Sequence, residues 1–559
     1  NKATSRFIIS SMEGAEFLDL EGNKHCQNNW LRGSCRLGMM PANGMLYVPP
    51  DQCFCQPGAK ILGFGAYTGE RRMDTVLRGE RLQKGEAYGK VSLGRASGKE
   101  DWPTYRHDPA RHGSTEAPIG NKLSRAWEKS FPSKATQATV VGRTLYISVP
   151  DAHTVYALDA YEGKELWHYI AGGRVDSPPT YWRGLLLFGC SDGWVYCLRA
   201  SNGDLIWRFL AAPYDLRCAA FDQIESLWPV HGSVLVYKGL AYVTAGRSTY
   251  LDGGIRVLAL DPLTGELRYK AVLHGPFPKV PEKRDFAFYL LGANSDVLVA
   301  EGDFIYMRQK KFTLDLKEIK APVLSSKGAQ DIGLHVFSTA SLLDGSWYNR
   351  TFWMYAKRWP GFQLAQQAPK SGQILVVDKE KTYAVKVYYY RNVHSPMFFP
   401  NREGYLLYAD YNSTEPQIVG EPGARKPVAW LPQSHIPRPG NWGLDSPAFG
   451  LDKMIGYTRA DPPIWKKFLP IRIRALVKAG DYLYAAGPPD VLDPQDPYAS
   501  FEGRKGAVLA IIRAEDGEVI REYKLSKPPA FDGMIAAQGC LYLSLIDGTL
   551  ICFKGQRKT

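Results

Sequence analysis

Between Thr154 and Phe209 the alternation of apolar and polar positions repeats itself. VYALDAYEGKELW begins at Val155 and VYCLRASNGDLIW at Val195. In each, four strand-forming residues run into a polar turn, a glycine (Gly163, Gly203), three further residues and a tryptophan (Trp167, Trp207). A repeat of about 40 residues built from short strands predicts the blades of a β-propeller or a related array. One small sheet cannot bury both of its faces, so it must stack against copies of itself. The glycine supplies a positive-φ turn between the outer strands, and the tryptophan is wide enough to wedge between neighbouring blades.

A second pattern, a glycine followed closely by an aromatic strand, marks hairpins at Gly44, Gly142, Gly184, Gly239, Gly302, Gly404, Gly480 and Gly539. These eight signals predict an all-β propeller of eight blades, each a four-stranded antiparallel sheet. The range is seven to nine, because about 100 residues separate Gly44 from Gly142 and Gly302 from Gly404. GQILVVDKEKTYAVKVYYY, from Gly372, is strand-like without the glycine. Residues 38–69 read as a blade, and FIISSMEGAEFLDL at 7–20 reads as two short strands without one. The last unit ends at TLICFKG with no outer turn-and-tryptophan stretch, so the N-terminal strands are expected to supply its missing strand and close the ring. The expected organisation is one domain over 1–559, with 76–115 an insertion between the first and second blades. In that insertion a charged, glycine-bearing surface excursion leads into DWPTYRHDPARHG, an ordered approach in which His107 and His112 are structural.

Composition narrows the function less than the fold. The net charge of +13 favours anionic partners or serves solubility alone, and no nucleic-acid-binding motif accompanies it. No apolar run reaches the roughly 18 residues of a membrane-spanning helix. The chain starts at Asn1 without a leader, so an exported protein whose signal peptide is already removed is expected, periplasmic or extracellular. Of nine cysteines, Cys26, Cys35, Cys53 and Cys55 crowd the N-terminal segment, a distribution that suits disulfides in an exported protein. Cys53 and Cys55 are one residue apart, which is poor zinc spacing. No GxSxG, HExxH, P-loop or GxGxxG motif occurs.

The stretches Val155–Trp167 and Val195–Trp207 resemble the PQQ-like β-propeller repeat family, which includes quinoprotein dehydrogenases and outer-membrane assembly propellers. Val257–Tyr269 and Leu509–Arg521 resemble it less closely, and DWPTYRHDPARHG is similar to a segment that precedes such propellers in exported bacterial proteins. The resemblance implies the fold and leaves the function open. For a dehydrogenase it would imply a vicinal cysteine pair, acidic and amide ligands for calcium, and a catalytic aspartate. No Cys-Cys and no CxxCH occur here, so no cofactor and no metal site are assigned, and PQQ with calcium is kept as an alternative.

Inner strands of a propeller surround a central channel, so the residues that open them face its mouth. Counting back eight residues from each hairpin glycine gives Arg36, Lys134, Asp176, His231, Asn294, Pro396, Arg472 and Phe531. Most are polar, as expected of a water-filled channel or of a mouth shaped for an anion. Arg36, Lys134, Arg174, Asp176, Trp228, Asn294, His394 and Arg472 are the candidate ligand-binding residues, and His231, Arg247, Arg217, His335 and Arg350 the candidate catalytic ones. Arginine beside a titratable histidine suits β-elimination on a uronic-acid polysaccharide. Neutralising the carboxylate acidifies the adjacent C–H, a base removes the proton, and a second donor protonates the leaving oxygen. His335, Trp347, Tyr348 and Arg350 would form a second such cluster. A protein-interaction scaffold of the outer-membrane assembly type and a quinone-dependent oxidoreductase are the alternatives.

Overall fold

A computed structural model describes residues 2–10, 14–33, 38–49, 61, 64–69, 80–277, 292–321, 330–338, 353–359, 370–386, 405–413, 417–418, 457–458 and 463–556. Its repeating unit is an antiparallel meander. In the first sheet Thr139–Val141, Thr144–Val149, Thr154–Asp159 and Glu165–Ile170 pair in chain order. Sheets of the same kind open on Thr180–Trp182, Leu235–Tyr237, Leu298–Glu301, Gln330–Ser338, Ile374–Val377, Ala475–Ala479 and Pro529–Ala537, and are called the second to eighth sheets below. Successive sheets touch, and Pro529–Ala537 lies against Thr139–Val141, so the series closes on itself into a β-propeller ring. Strands near the axis are covered on both faces and read as continuous apolar runs. Leu185–Gly189 (LLLFG) is wholly buried, whereas the outer strand Glu165–Ile170 alternates exposed and half-buried positions.

The repeated tryptophan locks one sheet to the next. The Trp127 indole donates its Nε1–H to Ala160 O at 3.0 Å, Trp167 to Ala200 O at 3.2 Å, Trp207 to Pro262 O at 3.1 Å and Trp465 to Ala514 O at 3.0 Å. Each ring lies under the turn glycine of the following sheet. A Cβ on Gly163 would stand 2.6 Å from the Trp127 ring, and one on Gly203 2.7 Å from that of Trp167. Both glycines also have positive φ. The turn is therefore glycine for two reasons, its conformation and the indole beneath it.

Two expectations are corrected. The ring is closed by Leu123–Ser130, which pairs antiparallel with Thr549–Gly555 of the eighth sheet, and not by residues 1–20. Lys2–Ala3, Phe7–Ser10, Ala15–Asp19 and His25–Asn28 form a sheet of their own. Residues 38–69 contribute Met40–Ala42, Met45–Val48 and Gly65–Tyr67 to a separate three-stranded sheet, not to a sheet of the ring. These two N-terminal sheets share a core of Ile9, Ala15, Trp30, Leu31, Met39, Leu46 and Val48 with Tyr250 of the ring, on which Trp30 stacks at 5.9 Å. Within 76–115, residues 89–99 are mostly exposed, while two short segments pair with sheets of the ring. Leu82–Lys84 adds a strand to the outer edge of the second sheet, and Ser114–Thr115 pairs in parallel with Ala475–Ala479 near the axis.

Candidate functional site

Between those two pairings the chain fills the axis. Trp102 forms a reciprocal backbone bridge with Val140 of the first sheet, and Thr104 Oγ1 meets Thr180 Oγ1 of the second at 2.8 Å. The Ala300 amide donates to Pro109 O and the Val377 amide to His112 O, both at 2.9 Å. Arg106 is fully buried at the centre. Its amide donates to Gln137 Oε1 at 2.9 Å, and its guanidinium donates to Asp532 Oδ2 of the eighth sheet at 3.0 Å and to the Leu375 carbonyl of the sixth. The same group lies 4.7 Å from the Trp353 ring of the fifth. Tyr105 donates its hydroxyl proton to the same Asp532 oxygen at 2.8 Å. Arg106, His107 and Arg111 take left-handed φ values of 55°, 79° and 61°, uncommon for residues with a side chain, which these cross-ring bonds hold in place.

The plug approaches from one face. Asp101 accepts from the amide of Gly142 and from Gln538 Nε2, both in hairpin turns that join first to second strands, each at 2.7 Å. In an antiparallel meander the loops that join second to third strands, and one sheet to the next, lie at the opposite face. Asp176, His231, Asn294 and Arg472 fall in sheet-to-sheet loops of that opposite face, as the glycine frame predicted. There Asp176, Arg174, His231 and Arg247 come together. His231 Nδ1–H donates to Asp176 Oδ2 at 2.6 Å, and Arg174 donates to Asp176 Oδ1 at 3.0 Å. Arg174 also pairs with Glu225 Oε2 at 3.2 Å, and Arg247 pairs with the other Glu225 oxygen. Burial alone pushes the Asp176 carboxyl up, but His231 and Arg174 outweigh it and hold it below the ordinary carboxylate range. Glu225 is in a hairpin, Arg217–Ala220 with Gln223–Ser226, whose turn residue Phe221 lies 4.4 Å from the Arg174 guanidinium. Both arginines are thus already engaged by carboxylates of the chain.

The remaining candidates are scattered. Trp228 is buried and donates to Asp252 O at 2.8 Å. Arg217 is exposed on the hairpin beside Asp215, and Lys134 is exposed at the mouth. Asn294 is buried in a bridge to Ser248, and Arg472 is buried against Asp490 at 3.0 Å in the loop that leads into the seventh sheet. His335 is enclosed in the fifth sheet, stacked at 3.8 Å on Tyr306, and the Trp347 and Tyr348 of its expected cluster lie outside the described residues. Burial pushes its pKa down to about 4, so the ring is neutral at neutral pH and reaches no ligand. Arg36, Arg350 and His394 lie outside the described residues, as do Cys35, Cys53 and Cys55. Cys26, Cys190, Cys197, Cys218, Cys540 and Cys552 are free thiols.

Sequence reasoning missed the floor of the mouth, where Tyr105, Arg106, Asp532 and Asp296 meet. Asp296 is buried beside Arg308 at 3.9 Å, accepts from Ser338 Oγ and the Val297 amide, and is within electrostatic reach of Tyr105. Burial pushes its carboxyl up to about 6 from 3.8, against the pull of Arg308, Ser338 and Val297. Because the folded pKa is the higher one, the native state holds this proton more tightly than the unfolded chain does. The contribution of Asp296 to stability is therefore greatest below the unfolded value and is lost as pH rises through about 6. Urea unfolding between pH 4.5 and 7 should show Asp296→Asn with a flatter decline than the parent, by up to about 1.4 kcal/mol per pKa unit.

Fold and site together define a β-propeller with a self-plugged axis and a buried ion network at the opposite mouth. A family profile described as outer membrane protein assembly factor BamB matches residues 87–310. The dehydrogenase subunit of the quinone alcohol dehydrogenase of Acetobacter aceti is 31% identical over 125 residues, which is 20% of this chain and 16% of that one. Among solved structures, BamB from Moraxella catarrhalis covers 78% of this chain and 99% of its own, at 10% identity and a TM-score of 0.41. The quinohemoprotein alcohol dehydrogenase of Comamonas testosteroni covers 83% and 82%, at 12% identity and a TM-score of 0.46. The match over residues 87–310 supports a PQQ-like β-propeller repeat family for that part of the chain. Among the described residues no donor set for a quinone with calcium is assembled. The Arg106 guanidinium and the Tyr105 hydroxyl already engage Asp532 at the axis, and the described residues bring no three His, Cys, Asp or Glu side chains together as a metal would require. No helix among the described residues is long and apolar enough to cross a membrane.

Proposed function

We propose that this protein is an exported docking propeller that binds a protein partner on its mouth face, as one functional unit of eight blades. The observation that carries the reading is the apolar character of that face. Phe221 and Ile224 at the hairpin tip are 55% and 63% exposed. Phe277, Val491, Leu492, Tyr498 and Phe531, all in loops or strand ends that the meander brings to the same side, are exposed as well. A set of large apolar side chains around one rim is a feature of interaction sites. The net charge of +13 favours an acidic partner. The description of the matching family, an outer membrane assembly factor, agrees in kind and in compartment. Polysaccharide β-elimination is not favoured, because Arg174 and Arg247 would have to leave Asp176 and Glu225 to hold a uronate.

Photo-crosslinking in the native host tests this. Crosslinkers at Phe221, Ile224, Tyr498 and Phe531 should capture one protein that crosslinkers at Arg183 and Lys238, in hairpins of the other face, do not, and Phe221→Glu should abolish the adducts. Equal capture from both faces would sink the proposal. So would a dye-reducing activity that appears on adding PQQ and calcium.

A further inference from the structure

Between the third and fourth sheets a tyrosine stands where other sheets carry the locking tryptophan, and we infer that the cavity there is a binding site for a planar aromatic ring that carries an N–H donor. At the third sheet the lock position, four residues after Gly265, is Tyr269, and Tyr269 is 44% exposed. The opposing turn in the fourth sheet runs from Thr313 to Lys317, one residue shorter than the others, and the Thr313 amide that opens it donates to Lys317 O at 3.0 Å as the Asp159 amide does to Lys164 O at 2.7 Å. By that alignment Leu314 O stands where Ala160 O and Ala200 O stand in the first and second sheets. Those two carbonyls each accept twice. Ala160 O takes the Tyr542 hydroxyl at 3.1 Å and the Trp127 indole at 3.0 Å, and Ala200 O takes the Tyr146 hydroxyl at 3.0 Å and the Trp167 indole at 3.2 Å. Leu314 O receives the Tyr242 hydroxyl at 2.9 Å and, among the described residues, no indole.

The turn itself records the difference. Where the indoles dock, the turn residue is glycine; here it is Leu316, at a φ of 64°. The buried Leu316 side chain takes part of the ring's place. Beside it a cavity of about 410 Å³ opens outward, lined by Leu240, Tyr242, Tyr269, Leu314 and Asp315, with the Lys238–Asp303 ion pair at its rim. That volume lies within the roughly 300–1,000 Å³ of small-ligand pockets. Its walls repeat the chemistry that holds Trp127 and Trp167 elsewhere in the molecule, a backbone carbonyl that also accepts a tyrosine hydroxyl. The site is on the outer part of the ring and does not depend on the mouth-face reading.

The test titrates the full chain with N-acetyltryptophanamide and with free indole, followed by NMR, beside a Tyr269→Trp variant that supplies the ring in cis. Saturable binding to the parent, abolished in the variant, together with a higher melting temperature for the variant, is expected. Tighter binding of N-acetyltryptophanamide than of indole would assign the ring to a polypeptide side chain, and the reverse order to a small molecule. No saturation up to the solubility limit, or equal binding by Tyr269→Trp, would overturn the inference.

Discussion

Asp532→Ala is expected to lose about 3–5 kcal/mol of stability, the range for removing one partner of a buried ion pair. The loss has three parts that act together. The Arg106 guanidinium, fully buried, would keep its charge and lose its carboxylate partner Asp532, and the Tyr105 hydroxyl would lose the acceptor at 2.8 Å. Arg106 and Asp532 both sit at positive φ, so the plug would also lose a bond that holds two residues in a sparsely populated conformation. Asp532→Asn keeps the shape and an acceptor for Tyr105 while removing the charge, and should fall between parent and alanine variant. Urea unfolding of the three proteins measures the order. If alanine costs no more than about 1 kcal/mol, comparable to one ordinary hydrogen bond, the plug does not depend on this pair.

The repeat was legible because its signals are local. A turn glycine and a tryptophan four residues later lie within one hairpin, and the same frame placed Asp176, His231, Asn294 and Arg472 on one face. Two hairpin signals were nonetheless read wrongly. Gly44 belongs to a sheet outside the ring, and the strand after Gly404, Tyr405–Tyr411, is the third strand of the sixth sheet. The sheet that opens on Ile374–Val377 carries no such glycine, so the pattern was silent there. The plug was illegible for a different reason. Nothing in DWPTYRHDPARHG is apolar enough to announce burial, and its partners, Asp532, Leu375, Leu298 and Val140, are remote in sequence and on several sheets. A polar segment reads as surface unless the carbonyls and carboxylates that satisfy it are known. The same distance hid Glu225, whose two arginine partners turn a seemingly free cationic mouth into an internal network.

Closure of the ring gives the second large effect. Trp127→Ala should cost up to about 3 kcal/mol, the low end of the range for emptying an aromatic site, because Trp127 is half-buried, whereas deleting residues 2–20 should leave the main unfolding transition close to that of the parent. The asymmetry follows from what each segment pairs with. Leu123–Ser130 is the fourth strand of the eighth sheet, and its Trp127 indole crosses to Ala160 O of the first, so one element joins the last sheet to the first. Without it Thr549–Gly555 becomes an exposed edge and the ring can open there. Residues 2–20 pair only with one another and with His25–Asn28, and they reach the ring through the small core around Tyr250. Differential scanning calorimetry on the two variants separates the cases, because an opened ring should also lose cooperativity, as stacked repeats do when a terminal interface is removed. A deletion of 2–20 that lowers the main transition as much as Trp127→Ala would return closure to the N-terminal strands.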